Sequence, residues 1–360
     1  MRKLILATLL FILSFSTRAD VIVKGDDAHI HYMGRIGKAD DASVLSWPGT
    51  SASINFTGSS VTATLEDQYG ENYYNVIVDG QVTKVLHLSN IKKSYLLAEG
   101  LSTGRHQLTL FKRTEWVFGK TLFYQFAIAD GGEILPAPET KSCKIEYFGD
   151  SITCGYAVED SSGRDRGIGQ FENNYLSYAA LVARHYNAEY SCIARSGIGL
   201  TLSYYHQIMP EMYHLTDGGD PQSEWNFNKF TPDIVVINLF QNDAGLFYRS
   251  DLPEFKARFG DEAPTPEKII KAYQDFIKQL RSQYPQASII CTLGSMDAVR
   301  TGSPWPDYVK KAAAGLGDKK VFAYIYNYKN TPGHPNVAQQ QAMANQLIAF
   351  IDKHAPLTSK

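Results

Sequence analysis

The sequence predicts two domains of different class: an N-terminal antiparallel β-sandwich and a C-terminal doubly wound α/β domain with helices on both faces of a parallel sheet. Three observations lead there. The chain has 360 residues, enough for more than one core. From Asp20 to about Ile134, apolar residues alternate with period two between turn signals. After Ser142, continuous apolar runs alternate with segments of helical spacing. At 44% hydrophobic and 20% charged, the composition excludes disordered, collagen-like and coiled-coil architectures.

The first nineteen residues differ from all that follows. Arg2 and Lys3 precede an apolar run, Leu4 to Phe15, broken only by Thr8 and Ser14, and Thr17-Arg18-Ala19 ends in a small residue. This pattern predicts a secretory signal over 1–19, too short to span a bilayer. The expected location is extracellular or periplasmic, with no membrane attachment once the signal is removed.

The sandwich is expected over 20–134. Ser53 to Thr57 and Val61 to Leu65 flank Gly58-Ser59-Ser60. Asn75 to Val78 and Val82 to Leu88 flank Asp79-Gly80, a strong hairpin signal. His106 to Phe111 and Leu122 to Ile128 continue the pattern. Residues 135–142, with Pro136 and Pro138, read as a linker. The α/β domain is expected over 143–357. Its strands are Ile145–Phe148, Ala188–Ala194, Ile234–Leu239, Ser288–Leu293 and Val321–Tyr326. Helices are expected over Asn174–Tyr186, from Thr265-Pro266-Glu267 onward, and from near Pro335.

Lys+Arg is 35 and Asp+Glu is 37, a net charge of −2 with no basic block, which excludes the electrostatic footprint of a nucleic-acid binder. The 22 tyrosines suit sugar stacking and core packing alike. Four cysteines, Cys143, Cys154, Cys192 and Cys291, allow three disulfide connectivities. Cys192 and Cys291 fall inside predicted buried strands, so thiols are favoured there. No CxxC or Cys/His cluster suggests a metal, and no cofactor is expected.

Four segments at predicted strand ends carry chemistry, because sites in doubly wound sheets gather at carboxyl ends. Gly149-Asp150-Ser151 follows the first strand and offers a nucleophile after a glycine turn. Ser196-Gly197-Ile198-Gly199 follows the second, where a glycine can bring its N–H close to a substrate oxygen. Gln241-Asn242-Asp243 follows the third, and an Asn side chain there is a neutral donor for a developing oxyanion. Gly333-His334-Pro335 precedes the last helix and offers a base. Each alone reads equally as a turn or cap.

Ser, Gly, Asn and His in this order at successive strand ends resemble the SGNH (GDSL-like) hydrolases. The run Ile145 to Tyr156, Ser196 to Leu200, Gly333-His334-Pro335 and Leu110 to Glu115 in the sandwich resemble carbohydrate esterase family two over essentially the whole mature chain. The resemblance implies a jelly-roll sandwich, a flavodoxin-like SGNH-hydrolase domain, secretion, no cofactor, and deacetylation of acetylated plant polysaccharides or oligosaccharides such as xylan and glucomannan. A monomer is expected.

The residue chemistry then reads as follows. Ser151 is the nucleophile and His334 the base. The oxyanion is held by the N–H of Ser151, the N–H of Gly197 and the side chain of Asn242, with Gly199 an alternative to Gly197. SGNH enzymes usually place Asp two residues before the His, and here that position is Pro332. A Ser–His dyad is therefore expected, with a main-chain oxygen on His334 Nδ1. Asp243 and Asp297 are conceivable stand-ins, and Asp150 and Asp243 read as turn-fixing residues. Trp116, Tyr156, Trp225, Phe247 and Trp305 are candidate sugar-binding aromatics, each read first as packing. The rivals are a lipid or thioester hydrolase with the same residues, and a carbohydrate-binding protein using the sandwich or the cleft.

Overall fold

The computed structural model describes residues 19–129, 131–355 and 357; apart from Ala19, the expected secretory signal lies outside them. The N-terminal part is two six-stranded antiparallel sheets packed face to face. Val61–Asp67 shows how the alternation works: Val61, Ala63, Leu65 and Asp67 are buried while the residues between them are half-buried. The hairpin read from Asp79-Gly80 joins Tyr73–Val78 to Gln81–His87. Both turn residues have positive φ, 49° and 79°, as a two-residue type I′ turn requires. Ile54, Phe56, Leu65, Val76, Leu108, Phe123 and Phe126 fill the space between the sheets.

The C-terminal part is a five-stranded parallel sheet in the order Glu189–Ala194, Lys144–Gly149, Ile234–Asn238, Ser288–Leu293, Val321–Ile325. In chain order this is 2-1-3-4-5, the flavodoxin-like arrangement. Alternate strand residues face opposite layers. Ile145, Tyr147, Val236 and Ile290 pack with helices Tyr178–His185 and Val337–His354. Phe148, Ile237, Ile289 and Cys291 pack with Pro266–Gln283 and Trp305–Ala314. Cys154, Cys192 and Cys291 are buried thiols.

Two helix boundaries differ from those read in the sequence, both because of caps. The segment expected as one helix over 174–186 is a 3₁₀ turn, Asn174–Leu176, then a helix from Tyr178. Ser177 accepts from Ala180 N and restarts the helix. The last helix begins at Val337 because Asn336 and Gln339 form a capping box.

The two parts share buried polar and aromatic contacts. Arg35, from the sandwich, is fully buried and donates to Glu146 Oε1 from Nε at 3.3 Å and Nη2 at 3.1 Å. Its Nη1 donates to the carbonyls of Tyr213 and Leu215. Glu146, on the first parallel strand, also accepts from Ser191 and Tyr284. Trp47 enters the α/β core and donates to Thr216 O at 2.8 Å. Arg35→Met leaves Glu146 buried without its cation, so a loss of about 3–5 kcal/mol is expected in denaturant unfolding. An unchanged midpoint would mean that the pair contributes nothing to stability.

In the order 2-1-3-4-5, the chain reverses direction across the sheet between its first and third strands, and the crevice outside their carboxyl ends is where ligands bind. Ser151 follows the first of these strands and Asn242 the third.

Candidate active site

The first parallel strand ends at Gly149, where a Cβ would lie 2.1 Å from Thr153 Oγ1. A side chain at 149 would collide with Thr153 where the strand runs into the short helix Ser151–Cys154. Asp150 caps that helix by accepting from Ile152 N at 3.0 Å, and burial pushes its carboxyl up to about 7. Ser151 is thus placed at the head of a helix with its hydroxyl at the cleft floor.

His334 stands before the last helix, after Gly333 with φ of 71°. Its Nε2 lies 2.8 Å from Ser151 Oγ. Its Nδ1 lies 2.5 Å from Asp165 Oδ2, and its backbone N donates to Asp165 Oδ1 at 2.8 Å. Burial alone would raise the Asp165 carboxyl, but hydrogen bonds from His334 and its charge outweigh burial and hold it below the usual range. With a carboxylate on Nδ1, that nitrogen carries the proton and Nε2 is free to accept one from the serine.

The expectation of a main-chain oxygen on His334 Nδ1 is therefore incorrect. A carboxylate, not a main-chain oxygen, orients His334, and it comes from far upstream of Pro332. Asp165 has φ of 57°, a left-handed conformation that Asp tolerates better than most residues. Its loop is stapled by Asp160, which accepts from Arg166 Nε at 3.1 Å and Nη2 at 2.7 Å. The only trace in the sequence is an Asp between two arginines in a glycine-flanked loop, a weak signal. Asp243 and Asp297 are not stand-ins. Asp243 accepts from the backbone N of Leu200, Thr201 and Leu202 and so fixes that loop, and Asp297 accepts from Tyr328.

Gly197, with φ of 81°, lines the cleft beside Ser151. Gly199 does not compete for the same role. Its N–H already donates to Ser203 Oγ at 2.9 Å, and a Cβ there would lie 1.9 Å from Leu202 O. Asn242 sits in the first turn of helix Gln241–Leu246, just past the strand end. Its Nδ2 donates to Ile198 O at 2.7 Å, which leaves the second hydrogen of the same amide for a ligand. Phe240, two residues earlier, is held at φ of 84°, an outlier for a bulky residue and common where a site demands it.

These groups floor an open cleft of about 850 Å³. Of the candidate aromatics, Tyr156 and Trp305 border the cleft, Trp305 as a buried core residue in keeping with its first reading as packing, and the Tyr156 ring lies 4.6 Å from the His334 imidazole. Trp116 and Trp225 do not line it. Trp116 packs at the domain seam under the Arg195 guanidinium at 4.6 Å, and Trp225 is buried with Arg35 5.2 Å over its ring. Tyr204 and Tyr248, 59% and 80% exposed on the cleft wall, were not singled out in the sequence. Their spacing carries no period that separates a rim from a core. Among the described residues, no group of His, Cys, Asp and Glu is arranged to hold a metal ion.

Known proteins share this architecture. Residues 32–138 match the carbohydrate esterase 2 N-terminal family, and 145–347 match the GDSL-like lipase/acylhydrolase family. A solved family two carbohydrate esterase from Clostridium thermocellum, in complex with cellohexaose, is 33% identical, with a TM-score of 0.80 over 90% of this chain and 98% of that one. The chain belongs to carbohydrate esterase family two.

Members of this family are carboxylic ester hydrolases. The cellulase/esterase CelE of Acetivibrio thermocellus is 34% identical over 343 residues, and the chain spans 39% of that protein's length. An acetylxylan esterase / glucomannan deacetylase of Cellvibrio japonicus is 27% identical, over 90% of this chain and 88% of its own. A solved family two esterase from Cellvibrio japonicus superposes with a TM-score of 0.82 at 25% identity.

Proposed function

We propose that the protein is a secreted serine esterase that removes O-acetyl groups from plant cell-wall polysaccharides through an acetyl-enzyme on Ser151. The observation that carries this reading is the unbroken hydrogen-bond chain Ser151–His334–Asp165 at the floor of an open cleft. Ser151 Oγ attacks the acetyl carbonyl and His334 Nε2 takes its proton. The Asp165 carboxylate stabilises the imidazolium. The oxyanion is held by Ser151 N, Gly197 N and Asn242 Nδ2. His334 returns the proton to the departing sugar hydroxyl, and water, activated by the same imidazole, then releases acetate.

The substrate class is supported by the wall of the cleft and by kinship. Exposed Tyr204 and Tyr248 offer flat amphipathic faces of the kind that sugar rings stack against. Arg300, Asp297 and Ser303 add polar lining, which suits a carbohydrate better than an acyl chain. Two family relatives are named acetylxylan esterase / glucomannan deacetylase. The leader read at 1–19 supports secretion, and no helix among the described residues is long and apolar enough to cross a membrane. The test is acetate release from acetylated xylan and glucomannan beside turnover of long-chain acyl esters. Faster turnover of the long chains would favour the lipid-hydrolase reading.

Asn242→Ala is expected to lower kcat by about 10²–10³ with KM changed less, because the bond strengthens in the transition state. A pure KM change would make Asn242 a sugar-binding residue.

A further inference from the structure

The segment Lys112–Glu115 leaves the sandwich and threads between the loops of the α/β domain. It is held rigidly. The Lys112 ammonium is fully buried and donates to the carbonyls of Thr114 at 2.7 Å and Glu115 at 3.3 Å. Arg113 O accepts from Asn174 N at 2.8 Å, and the Arg113 guanidinium pairs with Glu159. Glu115, 2% exposed, donates its own N–H to Glu172 Oε1 at 2.5 Å. Its carboxylate Oε2 accepts from Ser196 N at 2.8 Å.

Ser196 is the residue before Gly197. Its carbonyl accepts from Tyr205 OH at 3.1 Å. In a trans peptide the C=O and the following N–H point in opposite directions, so fixing Ser196 O fixes the direction of the Gly197 N–H. Gly197 at positive φ would otherwise be the most conformationally free residue of the loop. Glu115 thus pins one end of Ser196 and Tyr205 the other. Burial pushes the Glu115 carboxyl above its usual range, and burial followed by the charge of Glu115 pushes Glu172 well above its own. Burying two carboxyls side by side is costly, and hydrogen bonds from Ser196 N to Glu115 and from Glu115 N to Glu172 offset part of that cost.

We propose that Glu115, a sandwich residue, is a positioning residue for the oxyanion hole, holding Ser196 so that the Gly197 N–H faces the acyl carbonyl bound at Ser151. This rests on the serine-esterase reading above. It makes the sandwich a structural part of the catalytic machinery and not only an appended module. Gln at this position keeps an acceptor for Ser196 N and adds a donor for Glu172. Ala removes the acceptor, and Asp withdraws it by one methylene.

The experiment measures kcat and KM for 4-nitrophenyl acetate in Glu115→Gln, Glu115→Asp and Glu115→Ala, alone and combined with Asn242→Ala, with melting curves alongside. Expected are kcat within about threefold of wild type for Gln, and losses of about tenfold or more for Asp and Ala with KM nearly unchanged. In the Asn242→Ala background the Glu115→Ala loss should shrink to about threefold or less, because both residues act on one oxyanion. If the Ala variant does not fold, Asp against Gln carries the test. Wild-type kcat in a folded Asp or Ala variant, or losses that multiply fully with Asn242→Ala, would overturn the assignment. Activity surviving in Ser151→Ala would instead overturn the serine-esterase reading itself, so the two failures are distinguishable.

Discussion

Ser151→Ala is expected to reduce acetyl release by about 10⁴-fold or more while leaving the fold intact. The hydroxyl is the attacking atom, so its loss removes the covalent route and leaves only oxyanion binding and proximity, which cannot supply a nucleophile. The structural cost is small. Ser151 Oγ meets His334 Nε2 at 2.8 Å, and a hydrogen bond of this kind contributes about 1 kcal/mol net. For a chain of this size that corresponds to a Tm change of about 1–2 °C. Acetate release from acetylated xylan and the burst of 4-nitrophenol from its acetate ester measure the effect. A variant that still turns over at near wild-type rate with an unchanged melting curve would remove Ser151 from the mechanism.

Much of the site was legible because it is local to strand ends. Ser151, Gly197, Asn242 and His334 each sit within a few residues of an apolar run or a helix start, and the topology of a parallel sheet gathers such positions at one rim. Asp165 is different. It lies in a loop with neither periodicity nor a motif, and what brings it to His334 is the Asp160–Arg166 staple and the grip of Arg113 on Glu159. Those contacts are tertiary, and a search near His334 in sequence meets Pro332 instead. The sandwich strands and parallel strands were legible from period and β-propensity, while helix starts shifted by caps that side-chain geometry decides. The domain seam was not legible at all. Nothing in the sequence marks Arg35, Lys112, Glu115 and Glu172 as buried charges, and nothing there shows a partner for Glu146 inside its predicted strand, yet all five are buried in the structure. Trp116 and Trp225, read first as packing in the sequence, do pack, at that seam.

Asp165→Asn is expected to lower kcat by about 10³–10⁴ with KM within about threefold, although Asp165 touches neither the serine nor the substrate. The carboxylate accepts twice from His334, through the backbone N at 2.8 Å and Nδ1 at 2.5 Å. An Asn amide can satisfy only one of these as acceptor. If its oxygen takes the backbone N–H, its NH₂ faces Nδ1 and selects the tautomer with the proton on Nε2, which cannot accept from Ser151. If the amide flips, the backbone N–H loses its acceptor and the loop must move. In either case no negative charge remains to stabilise the imidazolium. Asp165→Ala removes the charge without imposing the wrong tautomer, so its loss should be no greater than that of Asn. Asp297→Ala leaves the triad untouched and should keep most activity. Asp243→Ala instead frees three backbone N–H groups of the Leu200–Leu202 loop, so its first effect should be on stability. Asn and Ala variants of Asp165 that both stay within about threefold of wild type would show that Ser151 and His334 suffice as a dyad, with Asp165 only fastening the loop.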